Sequence, residues 1–133
     1  MTTANDDVVV ITRPGECHKC SPDIEEWCKR HSIETSKFNQ PVTIQEGLEN
    51  CISLFYGCKS FDQPVTIPNS ATDCRCMFEE CASFNQSITI PDSVTKCSGM
   101  FSGCTSFNQP VNIPDGVTEC AGMFHNCLFL TSQ

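Results

Sequence analysis

A unit of 23 residues recurs four times between residues 38 and 129, and this repeat constrains the fold more than any other feature of the sequence. The copies span 38–60, 61–83, 84–106 and 107–129, without insertion or deletion. Six positions keep the same residue in every copy, and in the first copy they are Phe38, Gln40, Ile44, Cys51, Phe55 and Cys58. A fixed period of this length is typical of an array of stacked units.

Each copy contains a short β-type run, which is clearest in the second copy. Val65 and Ile67 lie two residues apart, so both face one side of a strand while Thr66 faces the other. Pro68 ends the run because proline has no backbone donor. One copy cannot bury its apolar side alone, but stacked copies whose strands pair in parallel can. The sequence therefore predicts an α/β repeat fold, a solenoid with a parallel β-ladder, in which the glutamine column forms a side-chain amide ladder.

The repeat resembles the BspA-like leucine-rich repeats across residues 38–129. The resemblance is carried by the stretch IPDSVT at 90–95 and by MFSGCTSF at 100–107. It implies a short leucine-rich-repeat-type solenoid that binds other macromolecules and has no catalytic residues. It also implies an origin on a bacterial surface or in a phage or mobile element, where such repeats often occur.

The residues before the repeats follow a different pattern. Residues 8–12 read as a buried β run, and Cys17 and Cys20 follow in a CxxC loop. Ser21 and Pro22 then predict the start of a helix, as N-cap and first helical residue. We expect this βα element to cap the solenoid, because stacked repeats need a cover at their ends. The predicted organisation is a βα cap at 1–37, followed by four repeats and a short tail at 38–133.

The strand, CxxC loop and helix at 8–31 resemble the start of glutaredoxins and other thioredoxin-like proteins. The resemblance implies an alternative function, thiol–disulfide exchange, with Cys17 as the attacking thiolate and Cys20 as the resolving thiol. The later strands of that fold have no counterpart here. A second alternative is a zinc site, because Cys17, Cys20, Cys28 and His31 offer three sulfur ligands and one imidazole. Our first expectation is a βα cap with no catalytic residue, no metal and no cofactor.

The chain carries a net charge of −8 and twelve cysteines. The negative charge argues against direct binding of nucleic-acid phosphates. A further alternative is an acidic, nucleic-acid-mimicking inhibitor of a host-defence or nucleic-acid-handling protein. Because equivalent cysteines recur in register, we expect ladders of buried, reduced thiols rather than disulfides. Reduced thiols suit a reducing compartment, and no secretory signal or membrane-spanning run is found, so we expect a cytoplasmic protein without membrane partners.

We expect the protein to bind another protein through positions that face solvent. The candidates on the strand face are Thr43, Thr66, Thr89 and Asn112. The candidates in the turns are Glu79, Glu80 and His125. Apolar residues at 128–130 and an unpaired edge after the fourth copy also predict a homodimer through the open C-terminal edge.

Overall fold

The computed structural model describes residues 7–128. Its regular elements, in chain order, are strand β1 (Val9–Ile11), helix α1 (Pro22–Arg30), a 3₁₀ helix (Thr35–Lys37) and strand β2 (Val42–Ile44). β1 and β2 form a parallel pair in which Val9 lies opposite Val42 and Ile11 lies opposite Ile44. The element that precedes the repeats is therefore joined to the first copy by a strand pair.

Helix α1 begins where the sequence predicted. The Asp23 N–H donates to the Ser21 hydroxyl at 3.1 Å, and Pro22 lies in the first turn. The Thr12 N–H donates to the Asp23 carboxylate at 2.7 Å, which ties the helix to the end of β1. The buried face of the helix consists of Ile24, Trp27 and Cys28. The predicted N-cap is thus confirmed.

Consecutive copies are joined at their turns by a ladder of backbone hydrogen bonds. Alternate N–H groups of each copy donate to carbonyl groups of the next, as from Cys51 to Asp73 at 2.8 Å and from Phe55 to Met77 at 2.9 Å. The equivalent donors to the third copy are Cys74, Cys76, Phe78 and Glu80. The equivalent donors to the fourth copy are Cys97, Gly99, Phe101 and Gly103. Equivalent residues of neighbouring copies therefore lie above one another.

The ladder contains left-handed backbone at two positions of each copy. In the first of these columns φ is 52° at Ser53, 56° at Cys76 and 65° at Gly99. Glycine adopts this conformation without strain, whereas a residue with a Cβ loses roughly 1–2 kcal/mol there. Gly103 belongs to the second column, where a Cβ would come within 2.7 Å of the Glu80 carboxylate. The ladder geometry thus accounts for the glycines of the third copy.

The β-type runs of the later copies are not paired as strands within the described residues. Within residues 7–128, the runs without a strand partner are 65–67, 88–90 and 111–113. Next to these runs a side chain spans the space between copies: the Asp62 N–H donates to Asn39 Oδ1 at 2.8 Å, and the Asn85 N–H donates to Asp62 Oδ1 at 2.9 Å. A side-chain link is longer than a direct N–H to C=O bond, so it holds the neighbouring backbones apart.

The glutamine column does not form the amide ladder that the sequence predicted. Instead, Gln63 Nε2 donates to the backbone oxygen of Asn39 at 3.1 Å. Gln86 Nε2 donates in the same way to Asp62, also at 3.1 Å. Within the described chain these carbonyl groups receive no backbone N–H. Gln63, Gln86 and Gln109 therefore bond to the preceding copy's Asn or Asp, and not to another glutamine.

Two columns of stacked phenylalanine rings form the centre of the core. The columns are Phe38, Phe61, Phe84 and Phe107, and Phe55, Phe78, Phe101 and Phe124. Trp27 of helix α1 packs edge-on against Phe38 with ring centroids 5.5 Å apart, so the helix covers one end of the core. The assignment of this stack to a leucine-rich-repeat-type solenoid stays a prediction.

Candidate functional site

The predicted strand-face column is exposed to solvent along its length. Thr43, Thr66, Thr89 and Asn112 all lie at the surface. Their neighbours in the same runs are buried in the first three copies, where Ile44, Ile67 and Ile90 are each 5% exposed. Alternation along the run therefore directs the apolar side chains inward and a small polar side chain outward. We call the surface formed by these four polar residues the threonine face.

Clefts open between neighbouring runs on the threonine face. The largest has a volume of about 440 Å³ and lies between the second and third copies. It is lined by Pro64, Val65, Thr66, Ile67, Asn69, Ser87, Thr89 and Pro91. Smaller clefts of about 190 Å³ and about 300 Å³ lie on either side, the first beside Thr43 and Thr66 and the second beside Thr89 and Asn112. Each cleft therefore lies between two neighbouring runs that are not joined by strand pairing.

The residues that line the clefts include backbone N–H groups without a backbone acceptor, and almost none of their side chains is charged. Within residues 7–128, the N–H groups of Thr66 and Thr89 have no backbone acceptor. Among the lining residues of the three clefts, Glu46 is the only charged side chain. A backbone N–H that has no protein acceptor bonds to water, and a ligand that displaces this water must offer an acceptor of its own. This follows because buried backbone N–H groups are almost always hydrogen-bonded. The surface is thus suited to a ligand with carbonyl or hydroxyl acceptors.

The predicted turn residues lie apart from these clefts. Glu79, Glu80 and His125 belong to the turns that carry the backbone ladder, and none of them lines a cleft of the threonine face. Glu80 lies 3.7 Å from Lys59, and His125 is exposed. Tyr56 occupies the position of Glu79 and His125 in the first copy. The predicted binding residues therefore form two groups rather than one surface.

The CxxC sequence forms a tight hairpin that projects from the cap. Glu16 and Lys19 exchange two backbone hydrogen bonds of 2.9 Å, which places Cys17 and His18 at the tip. Cys17 is exposed, and its sulfur lies 3.3 Å from His18 Nδ1. Ser21, not Cys17, caps helix α1. Cys17 is therefore not at the helix end, where the redoxin resemblance would place an attacking thiolate.

Cys20 is buried beside the first repeat, next to the Ser21 N–H that donates to the Leu54 carbonyl at 2.9 Å. It is 5% exposed, and a hydrogen bond from the Cys58 thiol lowers the pKa of Cys20. The same hydrogen bond and burial raise the pKa of Cys58. The repeat pattern does not predict this placement, because Cys20 lies outside the repeats.

The alternative zinc ligands are not gathered at one point. Cys17 is exposed at the hairpin tip, whereas Cys20 and Cys28 are buried. His31 stacks on Trp27 with ring centroids 4.0 Å apart, and its Nδ1 lies 2.8 Å from the Trp27 carbonyl oxygen. Burial raises the pKa of Cys28 to about 11. In the described part of the chain, no group of three or more His, Cys, Asp or Glu side chains could hold a metal ion.

The fourth copy shows how one end of the stack differs from its interior. Ile113 is 39% exposed, compared with 5% for Ile90. Leu128 is 69% exposed. At the positions whose N–H groups carry the ladder in the earlier copies, the fourth copy has Cys120, Gly122, Phe124 and Asn126, and their N–H groups have no backbone acceptor among residues 7–128. The rest of the predicted dimer edge, at 129–130, and the tail to 133 lie outside the described residues.

The fold and these surfaces define a class of protein: a short array of repeats that stack in register behind an N-terminal βα element. The chain belongs to the family described as Mycoplasma protein of unknown function, DUF285, whose model matches residues 49–133. No curated protein and no solved structure matches the chain. Between residues 7 and 128 there is no helix of the length and apolar character that crossing a membrane requires.

Proposed function

We propose that this protein is a non-enzymatic, protein-binding repeat module, and that its four copies form a short leucine-rich-repeat-type solenoid. The observation that carries the proposal is the threonine face, where an exposed polar column borders clefts with unpaired backbone donors. The core columns are nearly identical in all copies, so the stack acts as a rigid support. A rigid support reduces the ordering that binding would otherwise require.

The chemistry of the clefts favours a polypeptide as the partner. The cleft between the second and third copies is lined by valine, isoleucine, proline and small polar residues, with no lysine or arginine. Nucleic-acid phosphates need such basic residues, and the net charge of −8 would repel them. An extended peptide offers carbonyl acceptors to backbone donors such as the Thr66 N–H, together with apolar side chains for the cleft walls.

We also assign the protein to the cytoplasm. All twelve cysteines lie within the described residues and all are free. Free cysteines are stable in a reducing compartment and form disulfides readily in an oxidising one. The assignment is tested by attaching a fluorescent reporter to the chain in its own cell and locating it after fractionation.

The polarity of the backbone ladder restricts any dimer through the C-terminal edge. In the row that includes the bond from Phe55 to Met77, the earlier copy supplies N–H groups and the later copy supplies carbonyl groups, whereas the bonds just before the row run the other way, as from the Asp73 N–H to the Glu49 carbonyl. The fourth copy thus presents donors, including the N–H groups of Gly122 and Phe124. Two copies related by a two-fold axis along this row would bring N–H against N–H. A homodimer through this row therefore needs a contact other than direct ladder pairing.

A photo-crosslinking residue at position 66 tests the proposed binding surface in the full-length protein. The matched positions are Thr95, an exposed threonine outside the clefts, and His125, in the turns. We expect one discrete adduct from position 66 in cells of the source organism, with its partner identified by mass spectrometry. Equal adducts from all three positions would contradict the proposal.

A double variant then tests the identified partner directly. Thr66→Arg with Thr89→Arg places two bulky cations over the largest cleft, and we expect at least about a tenfold weaker dissociation constant, equivalent to roughly 1.4 kcal/mol. Thr95→Arg serves as the control, and the unfolding midpoints of all variants should agree. Unchanged binding by the double variant would overturn the assignment of the threonine face.

A further inference from the structure

We propose that strand β1 pairs with β1 of a second copy of this chain, in antiparallel orientation about a two-fold axis at Val10. The pairing joins the two β1–β2 sheets into one sheet of four strands. It goes beyond the proposed protein-binding function and does not depend on it. It also uses the N-terminal cap, whereas the homodimer predicted from the sequence uses the edge after the fourth copy.

One edge of β1 is left unpaired in the described chain, because the sheet consists of β1 and β2 alone. The Val9 N–H donates to the Pro41 carbonyl at 2.9 Å. The Ile11 carbonyl accepts from the Gln45 N–H, also at 2.9 Å. Successive residues of a strand direct their backbone groups to opposite edges, so the N–H and carbonyl of Val10 point away from β2. Within the described residues, neither of these groups has a backbone partner.

The exposed side of β1 is apolar. Val10 is 53% exposed, whereas Val9 and Ile11, which face the core, are 5% and 0% exposed. Val8, just before the strand, is 38% exposed. The strand contains no charged residue, proline or glycine. Proteins use charges, prolines and bulges to keep an edge strand from pairing with another chain, and the edge of β1 lacks these protections.

The backbone at Val10 is complementary to itself. Where a residue of an antiparallel pair lies opposite its own copy in a hydrogen-bonded position, each N–H donates to the other residue's carbonyl. Both groups of Val10 face the free edge, so both bonds can form, and the two-fold symmetry closes the contact. The next N–H that points outward, that of Thr12, already donates to the Asp23 carboxylate at 2.7 Å. The register is therefore centred on Val10.

The charges of helix α1 also favour this arrangement. A two-fold axis at Val10 sets the two copies of α1 antiparallel on the same side of the joined sheet. The first turn of α1 carries Asp23 and Glu25, and the last turn carries Lys29 and Arg30. The acidic start of each helix therefore lies on the side of the basic end of the other helix, and the two helix dipoles are opposed. A parallel pairing of the strands would align like charges instead.

The pairing would also bring two threonine faces together. Val10 lies opposite Thr43 in the β1–β2 pair, and both residues are exposed. Joining the two sheets edge to edge therefore sets both threonine faces on the same side of the dimer. The value of this placement rests on the proposed function, whereas the pairing itself does not.

Sedimentation of the full-length, reduced protein tests the dimer. The strand is short, so we expect a dissociation constant on the order of 100 μM and a shift from monomer to dimer between about 10 μM and about 1 mM. Salt at about 0.15 M is needed, because it screens the repulsion between two copies that each carry a charge of −8. A monomer throughout this range, or assembly beyond the dimer, would overturn the proposal.

Val10→Lys tests whether β1 forms the contact. The two-fold axis places the two introduced cations directly opposite each other, so dimerisation should weaken at least about tenfold. Two control variants should retain the dimer: Val10→Thr keeps a β-branched residue, and Thr95→Lys adds the same charge at an exposed site outside β1. The variants should melt at the same temperature when dilute, because both sites face solvent. A dimer that withstands Val10→Lys would assign the contact to another surface and overturn the proposal.

Amide hydrogen exchange, followed by NMR, locates the new bond in the unmodified protein. The Val10 amide should exchange about threefold more slowly at about 1 mM than at about 50 μM, because the dimer gives it an acceptor. Exchange should not depend on concentration for the Val9 amide, which is bonded to Pro41, or for the Thr66 amide, which lies outside β1. Equal protection of Val10 at both concentrations would mean an acceptor within its own chain and would overturn the pairing. A partner of the threonine face takes no part in these measurements, so failure here is distinguishable from failure of the proposed function.

Discussion

The thiol of Cys81 donates a hydrogen bond to the carbonyl oxygen of Phe55, 3.0 Å away, and both residues are fully buried. The same bond joins Cys104 to Phe78, also at 3.0 Å. Burial raises the pKa of Cys104, so this thiol stays protonated and remains a donor. The second cysteine column therefore links each copy to the preceding one through hydrogen bonds, in addition to filling the core as a small apolar group.

Cys104→Ala should lower the free energy of unfolding by roughly 1–2 kcal/mol. The substitution removes a buried donor from the Phe78 carbonyl and leaves a small cavity in place of the sulfur. Cys120→Ala is the matched control, because Cys120 is exposed and should change stability by about 0.5 kcal/mol or less. Urea unfolding under reducing conditions measures both. Equal losses for the two variants would contradict a structural role for the thiol bond.

Phe78→Ala should be among the most damaging single changes in the repeats. Its fully buried ring stacks on Phe55 at 5.2 Å, on Phe84 at 4.3 Å and on Phe101 at 5.5 Å. Removing a buried phenylalanine side chain costs about 3–5 kcal/mol through lost transfer energy and the cavity left behind. Phe124→Ala, at the partly buried end of the same column, should cost less. Chemical unfolding of both variants against the wild type tests the order.

The repeat period predicted the phenylalanine columns because identical residues at a fixed spacing must stack if the copies do. The helix N-cap at Ser21 was also predictable, since a local hydrogen bond decides it. The side-chain link at Asp62 was not predictable, because its column holds Asn in three copies and Asp in one and reads as an ordinary turn. Nor was the burial of Cys20 against the first repeat, which depends on the bond from the Ser21 N–H to the Leu54 carbonyl and not on the period. Local chemistry and repetition are visible in a sequence, whereas contacts between unlike segments need the fold.

Asp62→Ala tests whether the side-chain links hold the copies together. The Asp62 carboxylate accepts from the Asn85 N–H at 2.9 Å and from Gln86 Nε2 at 3.1 Å. We expect a loss of roughly 1–2 kcal/mol in urea unfolding, because the Asn85 N–H loses its acceptor and Gln86 Nε2 keeps only the backbone oxygen of residue 62. Asp62→Asn is the matched control, since asparagine supplies the same link from Asn39 and Asn85 and should preserve stability. If the alanine variant were as stable as the asparagine variant, water would be an adequate substitute for the link.

The attachment of helix α1 to strand β1 should weaken at low pH through Asp23. Burial alone would raise the pKa of Asp23, but hydrogen bonds from Arg13 and Thr12 outweigh it and lower the pKa below its usual value. Arg13 Nη2 lies 2.6 Å from Asp23 Oδ1. A carboxylate with a lowered pKa in the folded state stabilises the protein above its unfolded pKa, and this stabilisation is lost as the pH falls through the folded value.

Asp23→Asn should therefore be less stable than the wild type near neutral pH, and the difference should shrink below about pH 4, where the wild-type carboxylate begins to take up a proton. Urea midpoints for both proteins between about pH 7 and about pH 3 measure the effect. Asp92→Asn changes an exposed carboxylate far along the chain and should follow the wild type throughout. A stability difference for Asp23→Asn that stays constant with pH would mean that the amide disturbs the helix start by its shape, and that the charge of Asp23 does not hold the cap together.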